Sequence, residues 1–331
     1  MSSRYHVVGI GNAIMDVIAP VKDSFLSDYD MSKGTMALID QDRALVLDGA
    51  LRATGKAQTI AGGSAANTMV GIAAMGLRAA YVGKTGRDDT GQALADGFEA
   101  AGLDFATRPS GSGSASARSM ILVTPDGERT MNTFLGASVE FEKADVQDAM
   151  IRAADVLYLE GYLFDAEPAK AAFVHAAEVA HAAGGKVAVT LSDPFCVERH
   201  RASFRQLVDH QCDIVFANID ELLTLTQADS LDAAMDEIER KDLVLCVTRG
   251  SKGSVISDGT RRYHVPAVWA ETLVDTTGAG DQYAAGVLAG RALGLDWADA
   301  GYLGSVAAAE VIGHYGARPE MPVHEMALGL T

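Results

Sequence analysis

The sequence predicts a three-layer α/β protein with a mostly parallel central sheet and a small β-sheet lid. Three observations predict it: apolar, β-rich runs alternate with helical stretches, those runs are nearly continuous in apolar residues, and two stretches break the rhythm. The runs are YHVVGIG near residue 5, AAYVGKTG near 79, VLYLEGY near 156, KVAVTLSD at 186, DIVFAN at 213 and LVLCVTRG at 242. Continuous apolar strands are what a parallel sheet requires when helices cover both its faces. Residues 64–76, 90–102 and 169–185 are Ala-rich, carry apolar residues at three- and four-residue spacing and end in glycine, so they predict helices.

The two interruptions, 17–40 and 105–135, predict the lid. The second has strand-like segments on either side of Pro125-Asp126-Gly127, a hairpin signal. Its SGSGSAS segment reads equally well as a flexible, solvated loop. The expected division is 1–16, 41–104 and 136–331 in the large α/β domain, and 17–40 with 105–135 in a lid that excludes water from the site.

Charge narrows the function. Against 27 Lys and Arg stand 44 Asp and Glu, and the net charge of −17 argues against nucleic acid and anionic membrane as partners, because both need a basic face. An anionic ligand must then be held by local devices. Cys196, Cys212 and Cys246 have no CxxC spacing, which fits small core residues in a reducing compartment. The N-terminal MSSRYHVVGIGN is unlike a signal peptide and no run approaches a membrane span, so a cytoplasmic protein is expected.

The strongest chemical signal is Asp275-Thr276-Thr277-Gly278-Ala279-Gly280-Asp281 ahead of the helical run QYAAGVLAGRALG. Glycines at a helix start let amide N–H groups converge on an anion, and Asp281 stands beside them where a carboxylate can take a proton from an attacking hydroxyl. In isolation the same string would serve as a helix cap. A second glycine-rich turn, Ala61-Gly62-Gly63-Ser64-Ala65-Ala66-Asn67, also enters a helix, with Ser64 able to cap and Asn67 able to meet hydroxyls. Asn12 and Asp16 follow the first strand, and one carboxylate there can accept from two vicinal hydroxyls. Glu221, in Asn218-Ile219-Asp220-Glu221 at a strand's C-terminal end, reads as an organiser of hydrated Mg2+ or as an N-terminal helix acid. Thr248-Arg249-Gly250-Ser251-Lys252-Gly253 reads as a hairpin, alone or bordering a nucleotide. P-loop, protein-kinase, HExxH and GxSxG motifs are absent from the sequence.

AGGSAANT, NIDE and DTTGAGD, in this order, resemble the ribokinase-like (PfkB) family of sugar and nucleoside kinases over essentially the whole chain. GIGNAIMDV, the segment from Met31 to Leu38, and LSDPF with DIVFANIDE are most similar to the adenosine kinase branch. The resemblance implies a ribokinase-like fold and transfer of the ATP γ-phosphoryl to a hydroxymethyl oxygen, with adenosine as acceptor and AMP as product. It implies Asp281 as general base, Gly278, Ala279 and Gly280 as anion hole, and Arg129 as a lid arginine reaching the transferred phosphate. Asp16, Gly62, Gly63, Ser64 and Asn67, with Asn12 beside them, would hold the acceptor; Asn218, Thr248, Gly250 and Gly253 would border ATP. Glu221 would organise Mg2+ through water, and Asp275 and Thr277, with the stretch near Gly316, would form a K+ site. Met36 stands where several such nucleoside kinases carry a glutamine; Met36, Leu38, Phe134 and Tyr162 would make an apolar wall for a purine, or are each ordinary core.

The same chemistry admits a sugar acceptor such as ribose, fructose or a keto-deoxy sugar acid. A catalytically silent ligand-binding protein on this fold is disfavoured by the presence of Asp281 and Glu221. A nicotinamide oxidoreductase fails because Ile14 stands where its glycine fingerprint needs a third glycine. Monomer and homodimer are both expected states, a lid-mediated dimer among them.

Overall fold

The computed structural model describes residues 4–321. Its strands are β1 (Tyr5–Ile10), β2 (Ile14–Pro20), β3 (Met36–Leu38), β4 (Gln58–Gly62), β5 (Ala79–Val82), β6 (Asp104–Ala106), β7 (Ala117–Val123), β8 (Arg129–Phe134), β9 (Ala154–Glu160), β10 (Lys186–Thr190), β11 (Ile214–Asn218), β12 (Val244–Thr248), β13 (Ser254–Ser257) and β14 (Arg262–Val265). One sheet runs β14-β13-β12-β11-β10-β9-β1-β5-β6, parallel except for β13, which pairs antiparallel with both β12 and β14. Each apolar run quoted above supplies one of its strands. Helices Glu167–Ala182 and Pro194–His210 bury one face, around Phe164, Phe173, Phe204 and Leu159. Helices Ser64–Ala74, Ala279–Ala292 and Trp297–Val311 bury the other, around Met69, Tyr81, Tyr158 and Val287. This is the mixed three-layer α/β architecture that the sequence predicts.

The second sheet runs β3-β8-β7-β2-β4. The turn at Gly127 joins β7 and β8 as an antiparallel hairpin. Strands divide between the sheets differently from the segments that the rhythm separates. β4 and the first residues of β2 lie in the small sheet, although 1–16 and 41–104 were expected in the large domain, and β6 closes the edge of the large sheet. β4 escaped notice because QTIAG is a short, half-exposed edge strand without an apolar run. Helix Gln41–Ala53 likewise covers the small sheet, burying Ala44, Leu47 and Leu51 against Val17, Ala19, Met120 and Leu122.

The SGSGSAS connection into the lid is not a free loop. Ser110, Ser112 and Ser114 donate to the Glu140 carboxylate, the Ser112 bond measuring 2.7 Å, and the Ser116 amide and hydroxyl donate to Asp88 at 2.8 and 2.6 Å. Burial works against the Glu140 anion, yet the serine hydroxyls hold its pKa below the usual carboxylate value. Alternate serines, spaced so that their side chains share one side, tether the segment to one carboxylate.

A buried ion pair braces the end of β5: Lys84 Nζ lies 2.7 Å from Asp145 Oδ2, with side chains 10% and 4% exposed. Removing one partner of such a pair strands the other charge, so Asp145→Ala is expected to destabilise the fold by about 3–5 kcal/mol in chemical denaturation. Replacing both residues, as Lys84→Met with Asp145→Leu, should recover most of that loss; a double variant as unstable as the single one would refute the stranded-charge account.

Candidate active site

The crevice opens at the C-terminal ends of β1 and β9, the neighbours from which the strand order runs outward in both directions, which is where open parallel sheets place ligands. Glu160 ends β9 and is 1% exposed. Its Oε1 accepts from the Asn12 amide at 3.1 Å and Asn12 Nδ2 at 2.9 Å, and its Oε2 accepts from the Ala65 amide at 2.8 Å. One carboxylate therefore fixes both the end of β1 and the first turn of helix Ser64–Ala74, whose leading amides have no intrahelical acceptor. Burial pushes Glu160 up to about 7 despite these donors. Sequence reasoning passed over Glu160; its signal was a single acid closing the apolar run VLYLE.

Asp281 stands in the first turn of helix Ala279–Ala292. Ser64 Oγ donates to its Oδ1 at 2.6 Å and Asn67 Nδ2 to its Oδ2 at 3.3 Å, so two residues expected at the acceptor orient the expected base. Burial lifts its pKa to about 6, with Ser64 and Asn67 working the other way. Among the described residues, the amides of Gly280 and Asp281 meet no protein acceptor, and Gly280 is exposed. The Ala279 amide instead turns back to the Thr276 carbonyl at 3.3 Å. The open part of the expected anion hole is thus Gly280 and Asp281, with Gly278 as the N-cap.

Asp16 lies across the crevice on β2. A Cβ on Gly62 would come within 2.2 Å of Asp16 Oδ2, and one on Gly63, at φ +106°, within 2.2 Å of the Asn12 carbonyl oxygen. Side chains at 62 and 63 would therefore displace the two groups that flank the cleft. Burial pushes Asp16 up to about 7; Arg318 and Arg129 pull it down and Asp281 pushes it further up.

The lid's inner face follows from register. Asp16, Ser119, Thr133 and Leu38 form one row across β2, β7, β8 and β3, and Ile18, Ile121, Met131 and Met36 form the next. Arg129 continues this face and spans to the large sheet's side, donating to the Asp275 carboxylate and the Thr277 hydroxyl. Met36 and Leu38 are 46% and 53% exposed, so an apolar surface is open to the crevice. Phe134 does not belong to it: side chains alternate along a strand, and Phe134 packs instead on the other face with the core under helix Gln41–Ala53. Tyr162 lies below, after β9, where burial and the carboxylates of Asp193, Asp281, Glu221 and Glu160 raise its hydroxyl pKa. Ile18, Ile121 and Met131 were missed, although the alternation along β2, β7 and β8 carries them.

On the other side, Asn218 and Thr248 are paired residues at the ends of β11 and β12, and Gly250 and Gly253 shape the turn into β13. Glu221 forms a reciprocal cap with Asn218: Asn218 Nδ2 donates to Oε1 at 2.7 Å, the Asn218 amide to Oε2 at 2.9 Å, and the Glu221 amide to Asn218 Oδ1 at 2.8 Å. Burial lifts Glu221 to about 7. Among the described residues, no group of three His, Cys, Asp or Glu could hold a metal. At the expected K+ position, Asp275 accepts from Arg129, from the Gly316 amide at 3.0 Å and from the Thr277 amide at 2.9 Å, so its counter-charge is a guanidinium. No described helix is long and apolar enough to cross a membrane.

Two solved structures align with this chain nearly end to end. An adenosine kinase from Sinorhizobium meliloti is 44% identical, covering 99% of this chain and 100% of its own, with a TM-score of 0.90. A probable sugar kinase protein from Rhizobium etli CFN 42 is 42% identical, covering 99% of each chain, also with a TM-score of 0.90. A probable fructokinase-4 of Arabidopsis thaliana is 30% identical over 244 residues, 69% of this chain and 72% of that protein. The pfkB family carbohydrate kinase model matches residues 6–324. With a carboxylate beside open helix amides and a crevice at the sheet's switch point, the chain belongs to the pfkB family of carbohydrate kinases, ATP-dependent phosphotransferases with an alcohol group as acceptor.

Proposed function

We propose that the acceptor is adenosine, phosphorylated on its 5′-hydroxyl to give AMP. The observation that carries this reading is the apolar row Ile18, Ile121, Met131 and Met36 on the lid face beside Asp16, open to solvent at Met36 and at the neighbouring Leu38. A nucleoside needs both halves of that surface: a carboxylate for the ribose hydroxyls and an apolar plane for the base. The adenosine kinase relative at 44% identity supports it. A small sugar would leave the apolar row unused, although the sugar kinase relative at 42% identity makes it the reading to test against.

In this proposal Asp281 Oδ accepts the 5′-hydroxyl proton as that oxygen bonds to the γ-phosphorus. The bond between the γ-phosphorus and the β,γ-bridging oxygen breaks, and ADP leaves with the electron pair. The open amides of Gly280 and Asp281 stabilise charge on the transferred phosphoryl oxygens. Ser64 and Asn67 hold the Asp281 carboxylate toward the acceptor, and Asn12 and Asp16 hold the sugar. Arg129 leaves Asp275 to reach the phosphate. Asn218, Thr248, Gly250 and Gly253 border the nucleotide. Magnesium fits here only through water and phosphate, since Asn218 occupies both Glu221 oxygens; it would neutralise phosphate charge. A K+ ion at Asp275 and Thr277 would have to replace the Arg129 guanidinium.

With Mg-ATP and a panel of adenosine, other nucleosides, ribose, fructose and keto-deoxy sugar acids, adenosine is expected to give the highest kcat/KM for ADP release. Asp281→Asn should lower kcat by roughly 10²–10⁴-fold. Turnover on a sugar alone would replace the acceptor and keep the mechanism; near-normal turnover by Asp281→Asn would remove the mechanism.

The pH dependence has a definite sign. Asp281 and Asp16, raised to about 6 and about 7, must both lose their protons, so kcat/KM for adenosine should fall as pH drops through this range. The two midpoints belong to the pair of interacting groups. Stability runs the other way. A carboxylate whose pKa is raised by folding destabilises the fold as pH rises through the folded value, so Asp281→Asn should raise Tm at about pH 8 and change it little at about pH 4. An acid limb below about pH 5, or an unchanged Tm at about pH 8, would contradict these assignments.

A further inference from the structure

The segment after helix Trp297–Val311 carries an arginine into the cleft. Gly316 donates its amide to Asp275 Oδ2 at 3.0 Å, and the Ala317 carbonyl accepts from Gln282 Nε2 at 2.9 Å, next to Asp281 on the same helix. Downstream, the amides of Glu320 and Met321 both donate to Glu310 Oε1 at 2.9 Å. The backbone is therefore pinned on both sides of Arg318. Its guanidinium lies 5.7 Å from the Phe98 ring centre and donates to the Ala61 carbonyl. Ala61 precedes Gly62, the residue whose missing side chain makes room for the Asp16 carboxylate. Arg318 Nε is buried without a partner. Asp16 receives no hydrogen bond from a protein donor among the described residues, whereas Asp281, Glu160 and Glu221 each do.

We propose that Arg318 is a positioning residue for Asp16: anchored on the Ala61 carbonyl next to Gly62, it stands as the counter-charge to the carboxylate that accepts the acceptor's hydroxyls. This rests on the reading that Asp16 binds the acceptor. The charged groups that act on Asp16 are Arg318 from the C-terminal segment, Arg129 from β8 and Asp281 from helix Ala279–Ala292. Of these, Arg318 exerts the largest effect, and Asp16 is the charged group that acts on Arg318. Arg129 is shared with Asp275 and is called to the phosphate during transfer, which leaves Arg318 as the permanent counter-charge. Through Ala317 on Gln282 and Gly316 on Asp275, the segment that carries Arg318 is tied to the helix that carries Asp281 and to the turn before it.

Two substitutions separate charge from packing. Arg318→Gln keeps a donor for the Ala61 carbonyl and removes the charge; Arg318→Lys keeps the charge. Asp16 would be titrated by 13C NMR of its side-chain carboxyl in the ligand-free protein, the resonance being assigned by its loss in Asp16→Asn. Adenosine binding would be measured by calorimetry without ATP, and the KM for ATP by steady-state kinetics. Arg318→Gln is expected to move the Asp16 midpoint to higher pH by about one unit or more and to weaken adenosine binding at about pH 7 about tenfold, with the KM for ATP within about twofold. Arg318→Lys should restore most of both. An Asp16 midpoint unmoved in Arg318→Gln overturns the proposal, as does equal loss of adenosine and ATP affinity in both variants, which would mark a packing role. If Asp16→Asn binds adenosine as the wild type does, the reading of Asp16 as acceptor ligand fails by itself, while the titration still decides whether Arg318 sets its charge.

Discussion

Four carboxylates, those of Asp16, Glu160, Glu221 and Asp281, are taken out of water around one crevice, and in each of them burial outweighs every favourable contact. A charge without water needs donors or a counter-charge, and the fold around the crevice is arranged to provide them. Glu160 takes two amides and an asparagine side chain, and Glu221 takes an amide and an asparagine side chain. Asp281 takes a serine hydroxyl and an asparagine amide. These donors come from turns that open helices or end strands, where the backbone has N–H groups left over. The glycines at 62 and 63 then follow as the spaces in which Asp16 and the Asn12 carbonyl fit.

The order of catalytic elements along the sheet has the same origin. Glu160 lies 148 residues from Asn12 and 95 from Ala65, yet its carboxylate locks β1, β9 and helix Ser64–Ala74 into one unit. Asn67, three residues into that helix, then meets Asp281 from a helix more than two hundred residues later. The proposed base, Asp281, is oriented by groups that are themselves fixed through Glu160. Electrostatic catalysis depends on dipoles held in place before the reaction begins, and this chain of bonds holds them.

What could be read in advance follows how local each signal is. Continuous apolar strands, glycine-ended helices and the Gly127 hairpin declare themselves within a dozen residues, and the structure has them where the pattern placed them. DTTGAGD and AGGSAANT are likewise contiguous, and Asp281 meets Ser64 and Asn67 across them. The failures needed knowledge of partners. β4 is a short edge strand that belongs to the small sheet only by pairing with β2. Whether Phe134 lines the crevice or packs in the core turns on its parity, which is fixed only by the register of β8 against β7, and it packs in the core. The open serine-glycine segment looked free because its anchor, Glu140, comes 30 residues after Ser110. Glu160 and Arg318 each carry no motif, and their importance comes entirely from what lies opposite them.

Arg129 shows how one charge can link the lid to the chemistry. It is a lid residue, on the face that carries Met36 and Leu38, but its guanidinium sits on Asp275 and Thr277, at the turn that leads to the open amides. Burial disfavours the charged form of Arg129, and Asp275 compensates first, with Asp16 next. Asp275 retains two amide donors, from Thr277 and Gly316, when the guanidinium withdraws, so its carboxylate is not left unsatisfied. In the proposed transfer, a phosphate arriving beside Gly280 would offer the same guanidinium a more highly charged partner at short range, and bidentate geometry would favour it. In a protein of net charge −17, moving one positive group from a carboxylate to the incoming anion is a short-range answer to a repulsive long-range field. Under that proposal lid position and phosphate charge depend on each other, which suits an enzyme that must exclude water while a γ-phosphoryl group is in transit.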